Sequence, residues 1–370
     1  MIIGLNAAAA IKQPRTGVEE YTYQLIKQLT MLPEARKHRF LLYIPSMALA
    51  KEDLPIFDFP LPSNFKIRIL YWPLPFLWTQ IRLAWEMFVL SPEALVIPVH
   101  VLPFFSPKNS VVTVHGLEYE YWPQNYSFWR RFYLRWSTKA AAKRAQKIIA
   151  ISENTKQDLI KLYSAKADKI EVVYHGVEVR SQNIKTNNQK PYILYIGRIE
   201  TKKNVQGILE AYKILKEKYC VPHKLILAGS PGYGYEKIKL QIKDLLEIRN
   251  LDLDIKEVGY ISNKEKDELL AGAEVFLFPS LYEGFGLPVL EAQAMGVPVV
   301  TSLGSCLPEI AGQGALFVDP RSSVEIARAV NQLIDDKILR DRLIQLGKEN
   351  VSGFNWKKCA RETLEIVTRI

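Results

Sequence analysis

Cysteine is scarce in this 370-residue chain. The three present, Cys220, Cys306 and Cys359, are odd in number and far apart, so neither a disulfide framework nor a C-x-x-C metal site is supported. Reduced thiols fit the cytosol. Long apolar runs are also missing: the longest charge-free one, Ala94 to Pro107, carries three prolines and falls short of the ~20 residues a bilayer span requires. No transmembrane helix is expected. The start, Met1-Ile2-Ile3-Gly4-Leu5-Asn6, has no basic leader or small-residue cleavage site and reads as a first buried strand. A cytoplasmic protein follows, with peripheral attachment to the inner face of the membrane as an option. The G-x-G-x-x-G fingerprint is absent, even from Gly229-Ser230-Pro231-Gly232-Tyr233-Gly234, so a nicotinamide or flavin dinucleotide is unsupported. No 20–50-residue repeat is visible.

What is present starts with charge. The chain holds 49 Lys/Arg against 39 Asp/Glu, a net +10, with 24% charged and 48% hydrophobic residues, the composition of a globular protein. Residues 1–186 carry 24 basic against 15 acidic side chains and residues 187–370 carry 25 against 24, so a partner for a basic surface belongs to the first half. There Arg131, Arg135, Lys139, Lys143 and Lys147 recur every fourth residue, interleaved with Phe128, Trp129, Phe132, Tyr133 and Trp136 and with no acid between them. A basic, aromatic helix suggests an anionic membrane surface or an acidic ligand; the bland alternative is a solvated face over core aromatics. A second aromatic stretch, Tyr71 to Trp78, can extend the face. Nucleic acid is not expected, because no reader motif accompanies the charge.

At this length two domains are the default. Apolar runs predict strands at 2–8, 39–45, 66–71, 94–100, 111–115, 147–152 and 169–175, with helices at 18–32, 78–90, 127–144 and 153–162. Residues 179–189, rich in Asn, Gln, Ser and Lys, read as a linker. A second alternation follows, with strands at 191–197, 223–229, 254–259, 274–280, 297–302 and 315–318 and helices at 204–219, 235–249, 262–271, 288–295, 322–335, 337–349 and 356–369. Strand-helix alternation implies parallel sheets covered on both faces.

The most informative segment is Glu283-Gly284-Phe285-Gly286-Leu287-Pro288-Val289-Leu290-Glu291. It follows the buried-strand pattern Val275 to Ser280, which places it at a sheet's carboxyl rim, where open α/β sheets bind ligands. Gly284 and Gly286 can take positive φ, Pro288 suits a first helical turn, and the amides of Phe285, Gly286 and Leu287 would face a ligand. Glu283 and Glu291 can then accept from the hydroxyls of one extended molecule; a strand-turn-helix joint with two solvated glutamates is the alternative. Arg198, after a strand, and Lys203, before a helix, bring two cations to the same rim, suited to a diphosphate; otherwise they form an exposed basic loop with Asn204 as N-cap. Tyr260 can line a nucleobase, although a core tyrosine is the simpler reading. His115 follows the strand Val111 to Val114 and is the best functional candidate among five histidines. Asp252-Leu253-Asp254 has the look of a metal-binding D-x-D, but it precedes a strand and reads as a turn. No His/Cys/Asp cluster has ligand spacing, so no metal and no cofactor are expected.

Together these residues resemble the retaining glycosyltransferases of family 4, with the GT-B fold. The specific matches are Glu283 to Glu291, which fits the family's E-x7-E motif, and Gly197-Arg198 through Lys203. Thr16-Gly17-Val18, His115, Ile151-Ser152 and Val173 to Val177 support them, and Ser302 to Ile310 with Val318-Asp319-Pro320 looks most like the bacterial mannosyltransferase branch. The resemblance implies two facing Rossmann-like domains with a deep cleft: an acceptor domain, 1–180, to which the C-terminal helix 356–370 returns, and a nucleotide-sugar domain, 190–355. It implies catalysis by Glu283, His115, Arg198 and Lys203. It also implies a donor site of Gly17, Gly197, Arg198, Lys203, Gly229, Tyr260, Glu283, Gly284, Phe285, Gly286, Leu287 and Glu291. Glu283 would hold sugar hydroxyls, Glu291 the ribose, Arg198 and Lys203 the diphosphate, with Gly17 near the phosphates and His115 near sugar and acceptor. Two residues depart from the pattern: Gly116 where the family often has Asp, which leaves acceptor contacts open, and His175 where it has Asn, which is expected to affect only a turn.

The implied reaction moves a sugar, mannose from GDP-mannose favoured over a UDP-sugar, to a glycan or lipid-linked acceptor in cell-surface polysaccharide synthesis. No carboxylate nucleophile is assigned; a same-face substitution, the leaving phosphate taking the acceptor's proton, fits better, with domain closure excluding water. Competing readings are a sugar-nucleotide epimerase, a phosphorylase with a pyridoxal cofactor, and a non-enzymatic membrane-binding module.

Overall fold

The computed structural model describes residues 1–46, 56–74, 76–178, 191–248 and 251–370. The chain divides into two compact units, one of Met1–Gly176 with Phe354–Ile370 and one of Val177–Gly353. The expected linker at 179–189 lies outside the described residues, apart from its neighbours Val177 and Glu178.

In the first unit the strands are β1 (Ile2–Asn6), β2 (Arg39–Pro45), β3 (Phe65–Leu70), β4 (Ala94–Ile97), β5 (Ser110–Val114), β6 (Lys147–Ala150) and β7 (Ile170–Val172). They form one parallel sheet in the order β3-β2-β1-β4-β5-β6-β7. The α-helices are α1 (Gly17–Met31), α2 (Ala84–Val89), α3 (Glu118–Tyr121), α4 (Phe128–Arg144) and α5 (Glu153–Tyr163). The second unit sets β8 (Tyr192–Ile196), β9 (Lys224–Ala228), β10 (Ile255–Gly259), β11 (Val275–Phe278), β12 (Val299–Ser302) and β13 (Ala315–Val318) into a parallel sheet ordered β10-β9-β8-β11-β12-β13. Its helices are α6 (Val205–Tyr219), α7 (Tyr235–Leu246), α8 (Asn263–Gly272), α9 (Leu287–Ala294), α10 (Leu307–Ala311), α11 (Ser323–Asp335) and α12 (Lys337–Val351).

Strands such as Val275-Phe276-Leu277-Phe278 are buried along their whole length, because helices cover both faces of a parallel sheet. Helix α11 shows the complementary pattern: Ile326, Ala327, Val330 and Leu333 form a buried stripe at helical spacing. The last helix, α13 (Trp356–Thr368), has the same design, but its stripe of Trp356, Cys359, Ala360, Thr363, Leu364 and Val367 packs in the first unit against α1. A chain that leaves its first unit and returns to it for its last helix thus completes that core with residues 350 positions away in sequence order from β1.

The sequence misses detail at the ends of elements. The expected strands 94–100 and 169–175 stop at Ile97 and Val172, and the expected helix 78–90 opens with a wider π turn, Thr79–Leu83, before α2. α3 and α10 have four and five residues, too few to show a 3.6-residue period.

Candidate functional site

In the second unit strand order reverses between β8 and β11. At such a switch point the loops leaving neighbouring strands part and open a crevice at the carboxyl rim. The loop after β8 carries Gly197, Arg198 and Lys203; the loop after β11 carries Glu283 to Gly286. Three adjacent loops are laced together beside it: Gly197 N donates to Ala228 O at 2.9 Å, Ile199 N to Ser230 O at 3.0 Å, and Gly229 N to Gly259 O at 2.7 Å. Gly229, at φ 147°, lies so close to its neighbour that a Cβ there would stand 1.9 Å from Gly197 O. The glycine at 229 is therefore demanded by loop packing, whatever else it contacts.

Asn204 brings the two flanking loops together. It sits in the left-handed region (φ 60°) and its amide donates to Pro279 O at 3.1 Å and Pro320 O at 2.5 Å. It is thus a tie and not the side-chain N-cap expected for α6. Leu281 N reinforces the tie by donating to Lys202 O at 3.0 Å. Asn204 fixes where residue 203 emerges, and Lys203 Nζ reaches Glu283 Oε1 at 2.5 Å. Both side chains are largely buried, at 16% and 10% exposure; an ion pair this enclosed costs several kcal/mol of desolvation per ion, so each charge depends on the other. Underneath, Phe278 stacks on Tyr195 and lies 5.5 Å from the Lys203 ammonium. Burial first, then the neighbouring Glu283 charge, pushes the Tyr195 phenol well above its usual range; it stays neutral and donates to Arg198 O at 2.8 Å.

Glu283 is held by its backbone as well. Ser305, at φ 60°, donates its hydroxyl to Glu283 O at 2.5 Å and accepts from Glu283 N at 3.1 Å. The Cys306 thiol donates to Glu283 O at 3.2 Å and Phe285 O at 3.1 Å; burial, then the Glu283 charge, raises it far above the ordinary thiol value, so it remains a donor. Neither contact is visible from the spacing of the sequence. Arg198, in contrast, is exposed, and its guanidinium has no hydrogen-bond or ion-pair partner among the described residues. Of the two cations expected at the rim, Lys203 is therefore committed and Arg198 open.

Glu291, on α9, makes a short ion pair with Lys266 of α8. Sequence alone does not single out Lys266, because a lysine in Asn-Lys-Glu-Lys-Asp-Glu looks like any solvated helical face. A capping box between Ser262 and Glu265 fixes the start of α8 and hence the direction of Lys266. Of the two glycines flanking Phe285, Gly286 takes the positive φ (99°) and Gly284 does not. Gly286 is the N-cap of α9 and supplies no capping side chain, with Leu287 and Pro288 opening the helix; its missing Cβ would meet Leu307 at 2.7 Å. Tyr260 is 63% exposed at the end of β10, which overturns the core reading: Gly259, at φ 70°, turns the chain outward just before it.

The remaining sequence candidates, His115 and Gly17, lie in the first unit. His115 follows β5, and its Nε2 is 2.6 Å from Pro98 O, after β4. A carbonyl can only accept, so Nε2 carries the proton and donates. Desolvation pushes the imidazole down to about 4, against the opposing pull of that carbonyl, so His115 is neutral near pH 7 with its proton committed. Behind it is a ring stack the sequence does not announce. Tyr21 meets His115 edge-on at 4.8 Å and stacks on His175 at 4.8 Å, and His175 stacks on Trp356 of α13 at 5.6 Å. His175 is buried and held well below the ordinary histidine range, by desolvation first and then by His115. The departure at 175 thus builds the packing behind His115 and is not a matter of a turn alone. Gly17 is the first residue of α1, and a Cβ there would meet nothing within 4 Å; packing gives no reason for a glycine.

The stripe expected on α4 is corrected in part. Arg131 and Arg135 are paired with Glu120 at 3.5 and 2.9 Å, and Lys147 belongs to β6 and pairs with Glu171 at 3.0 Å. Only Lys139 and Lys143 of the five keep exposed ammonium groups without an ion-pair partner among the described residues. Among the described residues, no helix is long and apolar enough to cross a membrane.

Comparison with known proteins agrees with this architecture. Residues 177–350 match the family model described as "Glycosyl transferases group 1", and residues 15–181 match "Glycosyltransferase Family 4". O-antigen chain mannosyltransferase B of Escherichia coli is 27% identical over 377 residues, 97% of each chain. O-antigen chain mannosyltransferase RfbU of Salmonella typhimurium is 26% identical over 328 residues, 86% of this chain and 87% of that one. Among solved structures, sucrose-phosphate synthase from Thermosynechococcus elongatus has a TM-score of 0.73 at 19% identity, covering 100% of this chain and 98% of that one. WaaG, a glycosyltransferase involved in lipopolysaccharide biosynthesis, has a TM-score of 0.69 at 16% identity over 100% of both chains. The two parallel-sheet Rossmann-like domains are those of the GT-B fold, and the chain belongs to the group 1, family 4 glycosyltransferases.

Proposed function

We propose that this glycosyltransferase moves mannose from GDP-mannose to a glycan or lipid-linked saccharide acceptor, with retention of anomeric configuration and without a metal. One observation carries the donor site: the enclosed Lys203–Glu283 pair beside the open Arg198 guanidinium at the switch point of the second unit. The arriving diphosphate offers Lys203 a stronger anion than Glu283, and Arg198 a bidentate partner. As the ammonium turns to phosphate, Glu283 becomes free to accept from sugar hydroxyls, each such bond contributing roughly 1.5–3 kcal/mol. The same cations then stabilise charge developing on the departing nucleoside diphosphate.

Glu291, aimed by Lys266, accepts from the ribose, and the first turn of α9, uncapped by any side chain, faces the sugar with Phe285, Gly286 and Leu287. His115 enters as a neutral imidazole, an acceptor through Nδ1 toward a sugar or acceptor hydroxyl and not a proton donor. The substitution takes place on one face, and the leaving phosphate oxygen takes the acceptor's proton. The choice of mannose rests on the two O-antigen mannosyltransferases similar to this chain along most of its length. A panel of GDP- and UDP-sugars with a lipid-linked saccharide acceptor tests the reading: transfer from GDP-mannose well above the others supports it, and transfer only from a UDP-sugar overturns the choice of donor.

A further inference from the structure

The first unit exposes aromatic side chains to an extent the second does not. At 3.6 residues per turn, Phe128, Phe132, Trp136, Lys139 and Lys143 fall on one face of α4, with Trp129 at its edge. Phe128, Trp129 and Phe132 are 74%, 77% and 58% exposed. The opposite face, Ser137, Thr138, Ala141 and Ala142, is buried. The usual arrangement of an amphipathic helix is thus inverted: the small and polar residues face the core and the aromatic ones face out. Core packing gives no reason for this.

The face extends beyond α4. Gln80 Nε2, in the π turn before α2, lies 3.0 Å from Leu102 O and 3.5 Å from the Tyr133 hydroxyl. The Arg144 guanidinium donates to Phe104 O at 2.7 Å. These bonds place the segment 79–89 and the loop 102–106 beside α4, and they bring their own exposed rings: Trp85 is 5.9 Å from Phe88, and Phe88 is 5.3 Å from Phe105. Two groups of exposed rings on neighbouring elements are more than scattered apolar side chains, and such clustering marks a docking surface.

Charge identifies the occupant. Along the outward face of α4 the aromatic half is followed by Lys139 and Lys143, and no acidic residue occurs from Phe128 to Lys147. Rings at one level and, at the next, ammonium groups with no ion-pair partner among the described residues match the acyl boundary and the phosphates of an anionic bilayer, where tryptophan and lysine are favoured. A second copy of the chain would set this positive face against itself. We propose that the α4 face, together with Trp85, Phe88, Phe104 and Phe105, seats the protein in the interface of an anionic membrane through ring insertion, with Lys139 and Lys143 contributing attraction. This differs from binding by a basic stripe, since Arg131 and Arg135 are already satisfied by Glu120, and it stands whether or not the assignment of the donor holds.

The experiment is co-sedimentation of the full chain with phosphatidylcholine vesicles containing or lacking phosphatidylglycerol, at low and high salt, with tryptophan emission and sedimentation velocity as companions. Wild type is expected to bind the anionic vesicles with a blue shift and to keep part of that binding at high salt, since apolar burial is not screened as exposed charges are. A Trp129→Ser/Phe132→Ser/Trp136→Ser variant, changed only at exposed positions, is expected to lose binding at least about tenfold at both salts. Lys139→Gln/Lys143→Gln should lose about tenfold at low salt alone, and Arg131→Gln/Arg135→Gln should change little. Wild type left in the supernatant at low salt overturns the proposal, as does a wild-type dimer that the aromatic variant dissociates.

Discussion

Both units are parallel sheets with a switch point, but they place their polar and apolar groups in opposite ways. The second unit turns its chemistry inward: Glu283 and Glu291 are each held by a lysine, and of the 27 exposed large hydrophobics among the described residues only 7 belong to it. The first unit shows the other 20 of those described, while its one candidate imidazole has its proton committed to a backbone carbonyl. The same fold can therefore serve as a rigid electrostatic cradle or as an adhesive surface, depending on which loops carry charge and which helix face carries rings. The difference also shows what holds each site. Removing a cradle residue leaves a buried charge unpaired, whereas removing a surface ring leaves only solvent.

The largest effect expected from breaking the contrast is at Glu283. Glu283→Ala should lower kcat by ~10²–10³-fold, the scale for losing a group that stabilises the transition state. Lys203→Met should cost both turnover and ~3–5 kcal/mol of stability, because it strands a buried carboxylate. Adding Glu283→Gln to Lys203→Met should restore most of that stability but not the turnover. Purified variants compared by donor kinetics and urea unfolding decide it. Stability and turnover returning together would mean the pair is only structural.

Glu291→Ala should be milder, raising the donor KM about tenfold with kcat nearly kept, as for a charged hydrogen bond to a part of the donor that does not react. Lys266→Met should move KM in the same direction, since it frees the Glu291 carboxylate from its present aim. A kcat loss equal to that of Glu283→Ala would place Glu291 at the reacting sugar instead.

Much of this was legible in sequence because parallel strands announce themselves as apolar runs and their carboxyl ends locate the rim. That pattern puts Glu283, Arg198 and Lys203 at the rim, while their roles rest on the family resemblance. What the sequence could not convey is which groups meet. Lys266 and Glu291 are 25 residues apart, and Asn204 and Pro320 are 116 apart. Nor can a period distinguish a buried stripe from an exposed one: the rings of α4 face outward only because Ser137, Thr138, Ala141 and Ala142 are small enough to pack closely against the core. His175 escaped for a related reason, since its role depends on Trp356, supplied by a helix from the far end of the chain.

The ring stack also separates the units by pH. His115 and His175 both titrate below the ordinary histidine value because burial disfavours the imidazolium. The unfolded chain therefore binds more protons than the folded one as pH falls from ~6.5, so their contribution is complete above that value and is lost toward about 4, the His115 value. One such proton gives a slope of up to about 1.4 kcal/mol per pH unit, or roughly 2–4 °C in Tm per kcal/mol for a unit of the size that carries these histidines. Thermal unfolding between pH 7.5 and 5 should show this loss, and His115→Gln should flatten the curve. An unchanged slope in the variant would remove His115 from the account.

The smallest expected effect is none at all. Glycosyl transfer from a nucleotide sugar requires the departing diphosphate to be neutralised, and on the proposed reading two side-chain cations do so, Lys203 and the open guanidinium of Arg198, with the start of α9 adding partial positive charge. If these carry the whole of that neutralisation, excess EDTA leaves turnover unchanged, and added Mg²⁺ or Mn²⁺ leaves it unchanged too. Arg198→Ala sharpens the question. With one cation gone, kcat should fall about 10²-fold while the donor KM changes less, because the charge being met is greatest in the transition state. Turnover abolished by EDTA and restored by a divalent ion would show that a metal supplies the missing charge, and the two side chains would then only bind the donor.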